Sequence, residues 1–377
     1  MKPMKPASCP VQEKFALARK ELADALVERG DEVDLVLAAL VAKEHPLLVG
    51  PPGCAKSMLL DGVMSWMGGR KFTALLTKHT AVEELFGPVS LMGLKEDRFV
   101  RVVSGRLPEA EGCFLDEVFK AGSAILNTLL KILNERVFDA GDGVARPVPL
   151  RICVSASNEW PDPQEGGREL AAVLDRFLFR KEVKPVATRA GRERLLWGDI
   201  RPPEFSCRAT PEEIDAAHAK AKALPWNGEA MEALATVLRE LAQEGIRPGD
   251  RRQRKSVLAA QAYAWLCGAE RVEPEHLEIL AHVLWDDPDE QPLKCAQVIA
   301  RIANPPGMRV AGLLMEAEEV LAGTDARNLS QAAAATAKLG EIDRKLAALG
   351  KEPRAEKARA HVKEQMRRLK LASIEAV

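Results

Sequence analysis

Residues Gly50-Pro51-Pro52-Gly53-Cys54-Ala55-Lys56-Ser57 follow the apolar run Pro46-Leu47-Leu48-Val49 and open onto Met58-Leu59-Leu60. A strand, a glycine-bearing turn and a helix start in that order make a phosphate-binding loop. Successive backbone N–H groups and the positive end of the helix converge there on anionic oxygens. The stretch Gly50, Pro51, Pro52, Gly53, Cys54, Ala55, Lys56, Ser57, Met58 is therefore the candidate nucleotide loop, with Lys56 reaching the outer phosphates and the Ser57 hydroxyl ligating Mg²⁺. The usual pattern has glycine before the lysine, where this chain has Ala55. Alanine adds one methyl group and is expected to keep helical dihedrals at the first turn.

Two further strands carry complementary chemistry. Gly112-Cys113-Phe114-Leu115 ends in Asp116-Glu117, and adjacent carboxylates at a strand end suit nucleotide hydrolysis: Asp116 holds Mg²⁺ through water, and Glu117 polarises the attacking water. Arg151-Ile152-Cys153-Val154-Ser155-Ala156-Ser157 ends in Asn158, an amide able to orient water against a γ-phosphate. Taken singly, each is also an ordinary strand running into a polar turn. The order and spacing of all three favour the nucleotide reading.

These blocks resemble the AAA+ ATPases, and within them the MoxR family and its RavA (regulatory ATPase variant A) subgroup. The resemblance extends through Glu84-Leu85-Phe86-Gly87-Pro88, Ser104-Gly105-Arg106-Leu107-Pro108-Glu109-Ala110, Lys120-Ala121-Gly122-Ser123-Ala124-Ile125-Leu126-Asn127-Thr128-Leu129-Leu130 and Leu133-Asn134-Glu135-Arg136. It is dense from about Leu47 to Phe179, thinner to about Asp287, and fades beyond. It implies an α/β fold: an AAA+ P-loop NTPase core, a parallel sheet sandwiched by helices, with an all-α lid and a C-terminal helical extension.

By the same resemblance, Lys56 and Ser57 form the Walker A pair, Asp116 and Glu117 the Walker B acids, and Asn158 the sensor 1 residue. Leu174-Asp175-Arg176-Phe177 matches the arginine-finger segment, so Arg176 would enter a neighbouring subunit's ATP site, with Arg180 as the alternative. A plain helix-end salt bridge to Asp175 is the competing reading of Arg176. Gly249-Asp250-Arg251-Arg252-Gln253-Arg254-Lys255-Ser256 resembles the sensor 2 segment, with Gly249 where the subgroup has serine. It places Arg251 on the γ-phosphate and leaves Arg252 open as the alternative, with a solvated basic helix start as the competing reading. The family also implies ATP and Mg²⁺, a homo-hexameric ring, and a von Willebrand factor A (vWA) domain partner whose metal site links the ring to a client.

Pro88–Leu94 and Arg98–Val103 alternate as two strands around Lys95-Glu96-Asp97, the expected hairpin of the helix-2 insert, where Met92 and Leu94 either meet a partner or pack the hairpin. A second short hairpin is expected around Gly141-Asp142-Gly143. The chain divides into an AAA+ core with N-terminal helices (1–200), an all-α lid (201–290) reached through the Pro-containing hinge Arg201–Phe205, and a C-terminal helical hairpin (291–377). In the last part Leu339, Ile342, Leu346 and Leu349 recur at helical spacing, either as packing or as a docking arm. No β domain of the late RavA type is evident, so activities tied to it are not transferred.

Composition narrows the class. The 377 residues are 47% hydrophobic and 29% charged with a net charge of −1, which supplies ample core and no general attraction to nucleic acid or anionic membrane. No segment reads as a membrane span or an apolar leader, and a cytoplasmic location is expected. Seven cysteines without a C-x-x-C pair argue against a disulfide framework or zinc knuckle, although Cys54 would be open to oxidation within the loop. Three functions compete: an ATP-driven remodelling ring, a nucleotide-gated scaffold with incidental hydrolysis, and a DNA-acting motor.

Overall fold

The computed structural model describes residues 10–161, 167–324, 328–349 and 353–375. Helices α1 (Val11–Ala25) and α2 (Gly30–Ala42) precede β1 (His45–Val49), which leads through the glycine loop into α3 (Lys56–Trp66) and β2 (Lys71–Leu75). Short helices α4 (Val82–Phe86) and α5 (Leu91–Lys95) follow, then β3 (Gly112–Asp116) and α6 (Ser123–Glu135). The hairpin strands β4 (Val137–Asp139) and β5 (Ala145–Pro147) lead to β6 (Ile152–Ser157), α7 (Gly167–Arg176) and β7 (Phe177–Glu182).

The main sheet has the order β2-β3-β6-β1-β7 with every pairing parallel. Parallel strands need crossover helices on both faces, which buries both faces of the inner strands. That is why β1, β3 and β6 are near-continuous apolar runs; β1 and β6 are buried at every position. The expected α/β core is present. Around Gly141-Asp142-Gly143, β4 pairs antiparallel with β5, and Asp139 Oδ1 accepts from Gly141 N at 2.8 Å and Gly143 N at 3.1 Å.

Pro88–Leu94 differs from the strand its alternation predicts. Ser90 Oγ accepts from Gly93 N at 3.1 Å and caps α5, so only the base pairs, with Val102 N donating to Pro88 O and Ser90 N to Val100 O. Leu91 and Met92 are 76% and 67% exposed. None of the described residues covers them, so no packing partner enforces a two-residue period.

After the core come α8 (Arg189–Trp197), α9 (Pro211–Lys222), α10 (Gly228–Gln243) and α11 (Asp250–Leu266), a 3-10 segment (Pro274–His282) and α12 (Gln291–Ala303). Thr210 caps α9 reciprocally with Glu213, and Asn227 caps α10. Helix α12 adds Cys295, Val298 and Ile299 to the same hydrophobic cluster as these helices, extending the unit past residue 290.

Helix α2 explains how this unit attaches. From Leu35 to Ala42 every residue is buried and apolar, so this part of the helix needs cover on every side. The sheet covers one side, and α9 and α11 another, making one continuous core. Each buried Val or Leu there contributes about 1.5–3 kcal/mol. The connector is fastened too: Pro203 lies against Gly62, Ser206 Oγ donates to Glu21 Oε1 at 2.6 Å, and Gly68 N donates to Ala209 O at 2.8 Å. Within the expected hinge at 201–205, Pro203 and Phe205 are half-buried and Arg201, Pro202 and Glu204 are exposed.

Helices α13 (Pro305–Ala322), α14 (Leu329–Ala348) and α15 (Pro353–Glu375) form a separate apolar cluster. Leu339, Ile342 and Leu346 on α14 meet Ala355, Ala358 and Val362 on α15, with Arg359 Nε donating to Asp343 Oδ1 at 3.0 Å. Among the described residues no helix is long and apolar enough to cross a membrane.

Candidate nucleotide site

The loop between β1 and α3 is shaped by close approach and by backbone sign. Gly50 N donates to Ser157 O at 3.1 Å, and a Cβ on Gly50 would collide with Val183 O, so only glycine fits. Gly53 has φ +81° and open space around it, which leaves its amide clear for an anion. Ala55 has φ 60° and ψ 19°, which is the left-handed region and not the right-handed helical geometry its place in the first turn suggests. Its methyl group costs about 1–2 kcal/mol there. Pro51 and Pro52 are exposed, Met58 is half-buried, and Cys54 is buried with its side chain in the core, which shields the thiol.

Lys56 is 7% exposed. Its Nζ donates to Gly50 O, to Pro51 O at 2.9 Å and to Asn158 Oδ1 at 3.2 Å. Burial lowers its pKa, while Asp116 and Glu117 act in the opposite direction. Ser57 is exposed on the first turn of α3.

At the end of β3, Asp116 Oδ1 accepts from Glu117 N at 3.0 Å. Asp61 on α3 has a raised pKa, from burial first and then from the nearby Asp116 charge. Glu117 takes φ 54° and is 8% exposed. Asn158, immediately after β6, donates through Nδ2 to Glu117 Oε1, and Lys120 Nζ lies 3.3 Å from Glu117 Oε2. Lys56, Ser57, Asp116, Glu117 and Asn158 thus gather at the C-terminal edge of the sheet. These are the groups needed to grip phosphates and direct a water.

The arginines lie elsewhere. Strands β1 and β7 run together with His45 opposite Phe177 and Val49 opposite Glu182. Arg176 immediately precedes β7, so it sits at the N-terminal edge, roughly 15 Å from the loop at about 3.3 Å per residue. There Arg176 NH1 donates to Asp175 Oδ2 at 2.6 Å, while its buried Nε has no hydrogen-bond partner. The start of α11 lies on the same edge. Arg251 NH2 donates to Asn134 Oδ1 at the end of α6, and Lys255 Nζ to Glu44 Oε2 at 2.6 Å just ahead of β1. Within one chain, Arg251 is therefore not brought to the phosphate loop. Arg180 is 1% exposed, stacked 4.4 Å over Trp285 and bonded to Trp285 O, which removes it from any neighbour's reach. Arg252 is buried among Asp175, Asp286 and main-chain carbonyls.

Residues 13–215, more than half of the chain, match the family described as "MoxR domain in the MoxR-vWA-beta-propeller ternary systems". The chain belongs to the MoxR family of AAA+ ATPases. Residues 229–296 of this MoxR-family chain match an AAA lid domain. An uncharacterized protein of Methanocaldococcus jannaschii is 40% identical over 305 residues, 80% of this chain and 78% of its own length. The chaperone MoxR1 of Mycobacterium tuberculosis is 28% identical over 184 residues, 48% of this chain and 45% of its own. In fold, the chain is similar to a crystal structure from Cytophaga hutchinsonii, an ATPase by provisional assignment, with TM-score 0.61 and 16% identity over 78% of this chain and 95% of that one.

Two members of the site are not legible in the sequence pattern. Arg29, 5% exposed, donates to Cys54 O at 3.1 Å and Lys184 O at 2.8 Å, fastening the MoxR-family loop to the segment after β7. Lys120 pairs with Glu117 three residues away, and a lysine in that signature is visible only as part of a match.

Proposed function

We propose that this protein is an Mg²⁺-dependent ATP hydrolase that acts as a homohexameric ring, each active site being completed by a neighbouring protomer, and that the ring remodels a client protein with a vWA-domain partner. The division of the site carries this reading: Lys56, Asp116, Glu117 and Asn158 lie at one edge of the sheet, Arg176 and Arg251 at the other. A head-to-tail ring sets those edges against each other and closes on itself.

Ser57 and Asp116 are oxygen donors, and among the described residues no group of three His, Cys, Asp or Glu could hold a metal. That donor set fits an ion held largely by water and phosphate oxygens, as Mg²⁺ is. Mg²⁺ bound there would neutralise charge developing on the transferred phosphoryl group. Loop amides and Lys56 hold the phosphates, Glu117 directs the attacking water, and Asn158 fixes Glu117. Arg176 of the next protomer stabilises the developing charge, with Arg251 beside it.

Because lid and core share one hydrophobic core, turnover moves whole protomers against one another and does not swing the lid on its connector. The vWA partner is supported by the description of the matched family. Placement within the RavA-like subgroup rests on Gly249–Ser256, and the function proposed does not depend on it. The test is ATPase rate per protomer against protein concentration, with light-scattering mass on the same samples. A rate that rises as a hexamer forms supports shared sites, and a rate independent of concentration in a monomer refutes them.

A further inference from the structure

Arg252 touches none of the groups at the phosphate loop, yet both terminal nitrogens of its guanidinium are hydrogen-bonded, and its buried Nε faces a carboxylate without a hydrogen bond. It is 4% exposed, although it opens a helix whose neighbour Arg251 faces solvent. Its NH2 donates to Asp175 Oδ1 at 3.1 Å and to Asp175 O at 3.3 Å. Its NH1 donates to Leu178 O at 3.3 Å and to Val283 O at 3.0 Å, and its Nε lies 3.1 Å from Asp286 Oδ1. Asp175 and Leu178 lie on either side of Arg176 in the chain. Val283 and Asp286 belong to the segment after the lid's 3-10 turn.

One guanidinium thus grips the main chain before and after Arg176 and ties both to the lid. Asp175 is shared: Oδ1 takes Arg252 and Oδ2 takes Arg176 at 2.6 Å. A planar fork of donors can hold three carbonyls and one carboxylate at once while its charge faces a second carboxylate, which an ammonium cannot. The second buried arginine, Arg180, lies 3.4 Å from the same Asp286 oxygen and stacks on Trp285, so two cations and two carboxylates close the seam between β7 and the lid. The two guanidiniums are buried and the two carboxylates about half exposed, so removing a carboxylate leaves a buried cation short of a partner.

We propose that Arg252 is a positioning residue for Arg176: through Asp175 and the carbonyls of Asp175 and Leu178 it holds the segment that presents Arg176, and it makes that presentation depend on the lid of the same protomer. The inference rests on the reading of Arg176 as the group delivered to the neighbouring site. Misplacing a catalytic group by about 1 Å costs up to about a hundredfold in rate, so loosening this bracket lowers kcat without touching the phosphate loop at the opposite edge.

The test uses the full chain as Asp175→Asn, which alters a half-exposed side chain, together with Arg252→Lys and Arg176→Ala. Assembly mass, melting temperature, KM for ATP and kcat are measured for each. The expected result is a folded, assembling Asp175→Asn protein with KM within about twofold and kcat down roughly ten- to a hundredfold. Mixing it with Lys56→Ala protomers, which carry an intact bracket, should restore turnover. Should Arg252→Lys fail to fold, Asp286→Asn, which meets Arg252 and not Arg176, decides in its place: a lowered kcat supports the bracket and an unchanged kcat overturns it. Unchanged kcat in Asp175→Asn while Arg176→Ala is inactive overturns the positioning role and leaves the Arg176 reading standing. Full activity in Arg176→Ala overturns that reading and this inference with it.

Discussion

Lys56 and Glu117 are joined through a single amide: Asn158 accepts from Lys56 Nζ at 3.2 Å through Oδ1 and donates to Glu117 Oε1 through Nδ2. The link joins the start of α3 to the ends of β3 and β6, so the cation proposed to grip phosphate and the carboxylate proposed to direct water share one partner. Asn158→Ala should lower kcat roughly a hundredfold, the effect typical of removing one oriented donor, with nucleotide affinity nearly unchanged. Fluorescent-nucleotide titration beside steady-state hydrolysis checks this. A loss of affinity with intact kcat would assign Asn158 to binding.

Ala55 sits at φ 60° where glycine would be unstrained. Ala55→Gly removes the strain of about 1–2 kcal/mol but adds unfolded-state freedom worth about 0.4–1 kcal/mol. The net expectation is a stabilisation of about 0.5–1 kcal/mol. Urea unfolding with an unchanged slope would show it as a higher midpoint. A lower midpoint would mean that the methyl group packs usefully.

Arg176 and Arg180 should separate cleanly by stability. Arg180→Ala empties the space of a fully buried side chain stacked on Trp285, and a large-to-small change of that kind costs about 2–5 kcal/mol with a large drop in melting temperature, although burial and the nearby Arg252 disfavour the Arg180 charge itself. Arg176→Ala should stay within about 1 kcal/mol and lose activity. Thermal melts beside ATPase rates distinguish them; equal destabilisation would make Arg176 a structural ion pair with Asp175.

Asp215 on α9 accepts from Arg151 at 2.7 and 3.0 Å and pairs with Lys43 at 2.7 Å, joining the lid unit to the core. Burial would raise its carboxyl, but Arg151 and Lys43 outweigh burial and hold it below its ordinary value. The folded state therefore binds this proton less readily than the unfolded chain. The contribution is complete above the unfolded value of about 3.9 and is lost as pH falls through the lower folded value. Melting temperature should fall with acid below about pH 4, and Asp215→Asn should show a shallower fall. Parallel acid slopes in the two proteins would show that Asp215 does not couple the two units.

The strands were legible because each buried run is mostly apolar or small and stops where charged or amide chemistry begins, with Val49 before the loop, Leu115 before Asp116 and Ser157 before Asn158. The segment at 88–94 misled because alternation implies a strand only where something covers one face, and none of the described residues covers Leu91 and Met92. The position of Arg251 was illegible for another reason. Its motif fixes a helix start, but the edge it faces follows from how α11 docks on α2 and on Glu44, a tertiary matter. For the same reason no local pattern distinguished buried Arg252 from exposed Arg251.

The central claim is that one site draws on two protomers. Lys56→Ala and Arg176→Ala proteins, each inactive alone, should be mixed in equal amounts and ATP turnover measured as subunits exchange. In a random head-to-tail ring, roughly a quarter of interfaces pair an intact loop with an intact Arg176, so turnover should reappear at a corresponding fraction of the unmodified rate. Persistent inactivity of mixed rings, with exchange verified by labelled subunits, would contradict the account.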